Sequence, residues 1–282
     1  MKLALPTAQL YIPDNAPEAD ALARTTHLAI GAHQDDLEIM AVDGILEAFG
    51  QPDKWFTGVV MTNGAGSPRT GIYGDYSDGE MQVVRAQEQK KAAFIGNYAA
   101  QFLLDHPSSA IKNPANRAPV EDLIAILRAT RPEIVYTHNP ADKHDTHIGV
   151  MLKTLAAIRS LPKKERPCKF YGCEVWRDLD WMLDEDKVAF DVSRHENMQM
   201  ALVSVFDSQV SGGKRYDLAT MGRRRANATY YASHATDMAD LMAFAMDLTP
   251  LIEKDDLDIE GYVRAHIERF ARDVSGRLSR LR

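Results

Sequence analysis

Cysteine is almost absent from this chain, with two in 282 residues, Cys168 and Cys173. They form no C-x-x-C pair, so they suggest neither a thiolate zinc site nor a disulfide framework. The expectation is two small, buried, apolar residues in a reducing compartment. Long apolar runs are lacking too. Met1-Lys2-Leu3-Ala4-Leu5 starts like a signal peptide but is broken by Pro6, Gln9 and Pro13. Nothing approaches the roughly 18–20 residues that a membrane span requires. Basic residues are in deficit: 33 Lys plus Arg against 40 Asp plus Glu give a net charge of −7. That balance argues against a nucleic-acid-binding face. The glycine-rich stretch Asn63–Gly71 lacks the Gly-Lys-Ser/Thr of a phosphate-binding loop. It reads instead as a rim over a site, with Arg69 and Tyr73 as candidate substrate contacts. The absences leave a soluble cytoplasmic protein with no nucleic-acid or membrane partner, and with homo-oligomerisation left open.

What is present is an alternation of short β-rich runs and longer helical patterns. His27–His33, Trp55–Thr62, Gln101–Leu104 and Glu133–Thr137 read as strands. Helical patterns lie between them around Asp43–Phe49, Glu80–Tyr98 and Val120–Thr130; in the last, Val120, Leu123, Ile124 and Leu127 share one face. This order predicts an α/β fold, an open, mostly parallel, Rossmann-like sheet with helices on both faces. The second half is less regular: strands over Lys169–Trp176 and Lys187–Val192, then helices near Glu196–Phe206, Leu218–Tyr231, Ala239–Ile252 and Ile259–Leu281. Only Leu161–Pro167 offers a boundary, and it is short enough to be a surface loop. The economical reading is one domain over 1–282, its core at about 25–160 and a C-terminal α+β elaboration at about 168–282.

Two clusters of chemistry-bearing residues follow predicted strands, where an open α/β sheet places its ligands. The first is Ala32-His33-Gln34-Asp35-Asp36; the second runs from His138 through Asp142 to His144-Asp145-Thr146-His147. A catalytic zinc site needs three nitrogen or oxygen donors and one open position. His33 and Asp36 can meet one ion across a tight turn, and His144 and His147 share a face at the start of a helix. A lone His-x-x-His is most often a solvated helix face, and Asp35 or Asp36 could simply cap the next helix. The pair of clusters is far more specific than either alone. It also supplies more groups than three ligands require. The surplus suits hydrolysis, which uses a base beside a water and a donor for the developing oxyanion.

With these residues quoted, the sequence resembles the PIG-L/LmbE-like family of zinc-dependent N-acetylglucosamine deacetylases. The likeness covers roughly residues 25 to 160 and extends more loosely to about 235. It implies that His33, Asp36 and His147 bind Zn2+, that Asp35 is the general base and that His144 stabilises the oxyanion. It also implies that Arg85 faces substrate. Gln34 stands where the family usually has proline. The implied activity is hydrolysis of an N-acetyl group from an amino-sugar conjugate. Two other readings stay open: a non-haem Fe(II) enzyme using the same two-His, one-carboxylate set, and a non-catalytic sugar-binding relative.

Several features are weighed lower. His138 is expected in a structural hydrogen bond and Asp142 behind a ligand histidine. Gly222-Arg223-Arg224-Arg225 reads as a solvated helix face, with an anion site as the rival. Trp176–Trp181 suits either a sugar-binding wall or a hydrophobic anchor. Asp207–Gln209 and Tyr230–His234 are candidates to enter the pocket from the C-terminal half.

Overall fold

The computed structural model describes residues 1–282. Eight strands form one sheet: β1 (Gln9–Tyr11), β2 (His27–Gly31), β3 (Phe56–Thr62), β4 (Ala100–His106), β5 (Ile134–His138), β6 (Lys169–Cys173), β7 (Lys187–Asp191) and β8 (Met242–Asp247). Their spatial order is β1-β4-β3-β2-β5-β6-β8-β7. Strands β4, β3, β2, β5 and β6 run parallel, while β1 pairs antiparallel with β4 and β8 antiparallel with both β6 and β7. The fold is therefore α/β with a mostly parallel sheet.

Burial on both faces explains why the strands read as nearly continuous apolar runs. Side chains alternate along each strand. Leu28 and Ile30 of β2, with Val59 and Met61 of β3, join a core of 32 buried residues on one face. Ala29 and Val60 join a second core of 17 on the other. The helices Ala118–Thr130 and Asp145–Arg159 cover the first face, contributing Leu123, Leu127, Val150 and Ile158.

From β2 the chain proceeds outward through β3 and β4, and β5 then returns to the other side of β2. Strand order thus reverses between β2 and β5, and the crevice beyond their carboxyl ends is where this architecture binds ligands. Gly44 marks how closely the neighbouring helix approaches: a Cβ there would lie 2.6 Å from the Tyr136 ring. Tyr136 in turn donates its hydroxyl to Asp43 Oδ2 at 2.8 Å.

One expected element is different. The apolar run within Ala239–Ile252 forms β8 followed by the short helix Thr249–Glu253. Leu, Met and Ala favour helix, but Met242–Asp247 lies between β6 and β7 and its ladder partners override that preference. Strand β1 has no counterpart among the expected strands. It is three residues long with little apolar pattern. No helix is long and apolar enough to cross a membrane.

Candidate active site

The two clusters emerge side by side because β2 and β5 are adjacent parallel strands, in register at His27–Ile134 through Ala29–Tyr136. Beyond β2 the chain turns at His33 and Gln34 into the short helix Asp36–Met40. Beyond β5 it reaches His144, which precedes the helix Asp145–Arg159.

Three donor atoms converge. His33 Nδ1 lies 3.4 Å from Asp36 Oδ2, His147 Nε2 lies 3.5 Å from the same oxygen, and the two ring nitrogens are 3.3 Å apart. A tetrahedral ion with bonds of about 2.0–2.2 Å separates its donors by about 3.4 Å. The triangle therefore fits such an ion, and His33 and Asp36 line an open cavity. A second group, His138, Asp142 and His147, is also close enough to hold an ion, but its members are engaged elsewhere. His138 Nε2 accepts the Ala32 N–H at 2.9 Å, so its lone pair is spent. Burial holds His138 far below the usual imidazole range, keeping the ring neutral. Asp142 Oδ1 accepts the N–H groups of Lys143 and His144, while Oδ2 accepts the Trp176 N–H at 3.3 Å. The same Oδ2 lies 3.3 Å from His147 Nδ1. Such an acceptor fixes the proton on Nδ1 and frees Nε2 as a ligand atom.

Burial works to raise the Asp36 carboxyl, but His147, His138 and His33 together hold it well below the usual range. Asp35 is opposite in behaviour. Burial pushes it up to about 6; Arg85 opposes that shift and the neighbouring Asp36 adds to it. Asp35 occupies the N-cap position but its side chain makes no cap bond. The backbone there is left-handed, with φ 94°, a conformation costing roughly 1–3 kcal/mol that the surroundings must enforce. They do so through Arg85 Nη2, 3.1 Å from Asp35 Oδ2, and Gln89 Oε1, which accepts the Asp35 N–H at 3.2 Å. Arg85 also donates to the Gln34 carbonyl and stands 3.5 Å from Glu88. Glu88 is held by the N–H and hydroxyl of Ser208. Arg85 still lines the cavity, and its Nε and Nη1 are buried with no hydrogen-bond partner.

His144 packs against both histidine ligand candidates, with ring centroids 5.2 Å from His33 and 4.6 Å from His147. Burial and those two rings lower its pKa, and its Nδ1 is buried without a partner. Gln34, in the position of the family's proline, donates from Nε2 to the Thr62 carbonyl at 3.2 Å. That bond pins the turn to β3, a restraint that proline would supply through its ring.

The cavity holds about 560 Å³. Gly64–Pro68 line it, as the glycine-rich rim suggests, but Arg69 and Tyr73 do not. Arg69 donates to the carbonyls of Ala65 and Tyr76 and pairs with Asp78, bracing the loop. Tyr73 donates its hydroxyl to Asp207 at 2.6 Å, tying that loop to the C-terminal half. Trp176 and Gln209 reach the cavity. Trp181 packs on the larger core and Tyr230–His234 lie away from the site. The three consecutive arginines split: Arg223 lines the cavity, Arg224 is buried, and Arg225 pairs with Glu196 at the surface. Tyr216 and Lys214 line the cavity without a motif to announce them. Burial, Asp35 and Asp36 all raise the Tyr216 hydroxyl, so it stays protonated.

Known proteins share sequence and fold with this chain. Residues 28–158 match the sequence model of the PIG-L family, described as GlcNAc-PI de-N-acetylase. The uncharacterized deacetylase YaiS of Escherichia coli K12 is 28% identical over 152 residues, spanning 53% of this chain and 77% of YaiS. Among solved structures, N,N'-diacetylchitobiose deacetylase from Pyrococcus horikoshii aligns with a TM-score of 0.61 at 15% identity, covering 86% of this chain and 90% of that one. GalB, the 4-carboxy-2-hydroxymuconate hydratase of Pseudomonas putida KT2440, aligns with a TM-score of 0.59 at 16% identity, over 79% and 95%. At these identities the two structures speak for the fold. The match to the PIG-L family model, over residues 28–158, spans both strand ends that carry the converging donors.

Proposed function

We propose that this protein is a metal-dependent hydrolase that removes an N-acyl group, in the first instance N-acetyl, from an N-acetylglucosamine-type conjugate. The observation that carries the reading is the triangle of His33 Nδ1, Asp36 Oδ2 and His147 Nε2 at 3.3–3.5 Å, with the buried Asp35 carboxyl beside it. The PIG-L match and the likeness to YaiS support the deacylase assignment. The sugar rests on the family description.

His33, Asp36 and His147 would hold zinc, which supplies Lewis acidity and makes water a nucleophile near neutral pH. Asp35 would take the proton from a water that adds to the amide carbon. One of its oxygens, Oδ2, is held by Arg85, so Oδ1 is the oxygen assigned to receive it. His144, neutral and with an unpartnered Nδ1, donates a hydrogen bond to the oxygen that becomes negative. The C–N bond then breaks and Asp35 returns its proton to the departing nitrogen. Water and amide become a carboxylate and an amine. Arg85 keeps Asp35 aimed inward through its contacts with Oδ2 and the Gln34 carbonyl.

The fold also carries a hydratase, and two histidines with one carboxylate also describe a ferrous site. The test is a panel of N-acetylated amino sugars with acetate and amine detection, with and without chelator, alongside metal analysis and oxygen uptake. Equimolar acetate and amine, abolished by chelator and restored by zinc, is the expected result. Oxygen consumption with bound iron, or no acetate from any amino sugar, overturns the reading.

A further inference from the structure

The helix Ile259–Leu281 presents two distinct faces. One is docked on the body of the protein. Tyr262 donates its hydroxyl to the Asp247 carbonyl at 2.5 Å, His266 is buried, and Arg269 pairs with Asp186 at 2.6 Å. The other face, about 100° further round the helix, is apolar and open. Ile267, Phe270, Val274, Leu278 and Leu281 follow one another at steps of three and four residues, each 39 to 88% exposed. No other element exposes more than two large apolar side chains. A continuous stripe of this kind marks an interaction surface. It spans an arc of about 80°, the width of a seam between two helices and narrower than a core-facing stripe.

Charge decides what covers it. Arg264, Arg269, Arg272 and Arg277 are matched by Glu260, Asp186, Glu268 and Asp273. That pairing leaves no continuous cationic face of the kind with which an amphipathic helix meets an anionic bilayer. The uncompensated charges lie at the two ends. Arg280 and Arg282 have no carboxylate within 4.0 Å, and Asp256 and Asp258, just before the first turn, have no cation within that distance. Helix termini favour these signs, but the ends are about 35 Å apart and cannot compensate each other within one chain. An antiparallel copy brings each end against its opposite.

We infer that this helix pairs antiparallel with the same helix of a second copy of the chain, in an isologous two-fold interface. Phe270 is the midpoint of Ile259–Leu281 and sits on the axis. Ile267 then meets Val274 of the second copy, Val263 meets Leu278 and Ile259 meets Leu281, so the apolar seam is complementary to itself. In the same register Asp258 falls opposite Arg282 and Glu260 opposite Arg280. A parallel pair keeps the seam but stacks Arg280 and Arg282 on their own copies, a like-charge contact that costs stability. No residue of this helix lines the cavity, so the interface stands apart from the deacylase reading.

Sedimentation velocity of the full chain tests it without any turnover. At about 100 μM protein the mass should be near twice that of the 31.5 kDa chain, returning towards one chain on dilution. A Val274→Glu, Leu278→Glu double variant, changed only at exposed positions, should dimerise at least about a hundredfold more weakly with an unchanged circular dichroism spectrum. Direction is read by crosslinking on a Cys168→Ser background, which removes the exposed thiol. A short bismaleimide should join Phe270→Cys to its own copy and should not join Leu278→Cys, whose two copies lie about 24 Å apart in the antiparallel pair. A monomer at that concentration, a dimer that survives the double variant, or equal crosslinking at the two positions overturns the inference. So does a monomer that floats with phosphatidylglycerol vesicles and loses that behaviour in the double variant, which would assign the stripe to a membrane.

Discussion

Asp142 Oδ2 lies 3.3 Å from Nδ1 of His147, whose Nε2 faces His33 and Asp36. The carboxylate touches none of the proposed reacting atoms, yet it decides which ring nitrogen carries the proton. Asp142→Asn keeps the shape and removes the charge. It should lower zinc affinity by about 10–100-fold, read by competition with a chromogenic chelator. The same variant should leave urea stability of the metal-free protein less affected than Asp142→Ala, which also strips acceptors from three backbone N–H groups.

Arg224 makes a mechanical link. Buried and without a carboxylate partner, it donates to the carbonyls of Glu38 and Ile39 at 2.7 and 3.2 Å and to Gln199 Oε1 at 2.8 Å. Burial lowers its guanidinium pKa to about 9, still charged at neutral pH. It ties the helix Tyr216–Tyr230 to the short helix that begins at Asp36. Arg224→Ala strands three buried acceptors and should cost about 3 kcal/mol or more in urea unfolding. Arg225→Ala, one residue on, should change stability by under about 0.5 kcal/mol.

His27 gives the fold a pH dependence away from the site. Burial, reinforced by Lys54, brings its imidazole from 6.5 to about 4. The unfolded chain binds a proton between those values that the fold refuses. The stabilisation is therefore complete above about pH 6.5, falls as pH falls, and levels off below about 4. Between pH 7.5 and 5 its share of the loss should be about 2 kcal/mol. Urea midpoints of the natural protein and of His27→Gln isolate that share, the variant showing the shallower pH slope.

The site was legible wherever its residues cluster in sequence. His33, Asp35 and Asp36 occupy one turn and His144 and His147 another, and strand adjacency brings the turns together. Arg85 joins them from the middle of the helix Asp78–Ile95, a placement that followed from the family resemblance. Lys214 and Tyr216 carried no such mark. A single lysine and tyrosine reach the cavity only when their segment folds against Val175–Trp176. Strand β8 was hidden for a related reason. Met242–Asp247 is rich in helix formers, and its state is dictated by ladders to residues 51 to 76 positions away. Arg223, Arg224 and Arg225 read alike in sequence, yet the helix turns each to a different environment about 100° apart.

The central claim is that Asp35 moves the proton in a metal-dependent deacylation, and one comparison tests it most directly. Zinc-reconstituted natural protein and Asp35→Asn are assayed side by side for acetate release from the best substrate of the panel, with bound zinc measured in both. The account predicts equal zinc content and a rate at least about a hundredfold lower in the variant. An Asp35→Asn protein that holds its zinc and releases acetate at the natural rate would contradict it.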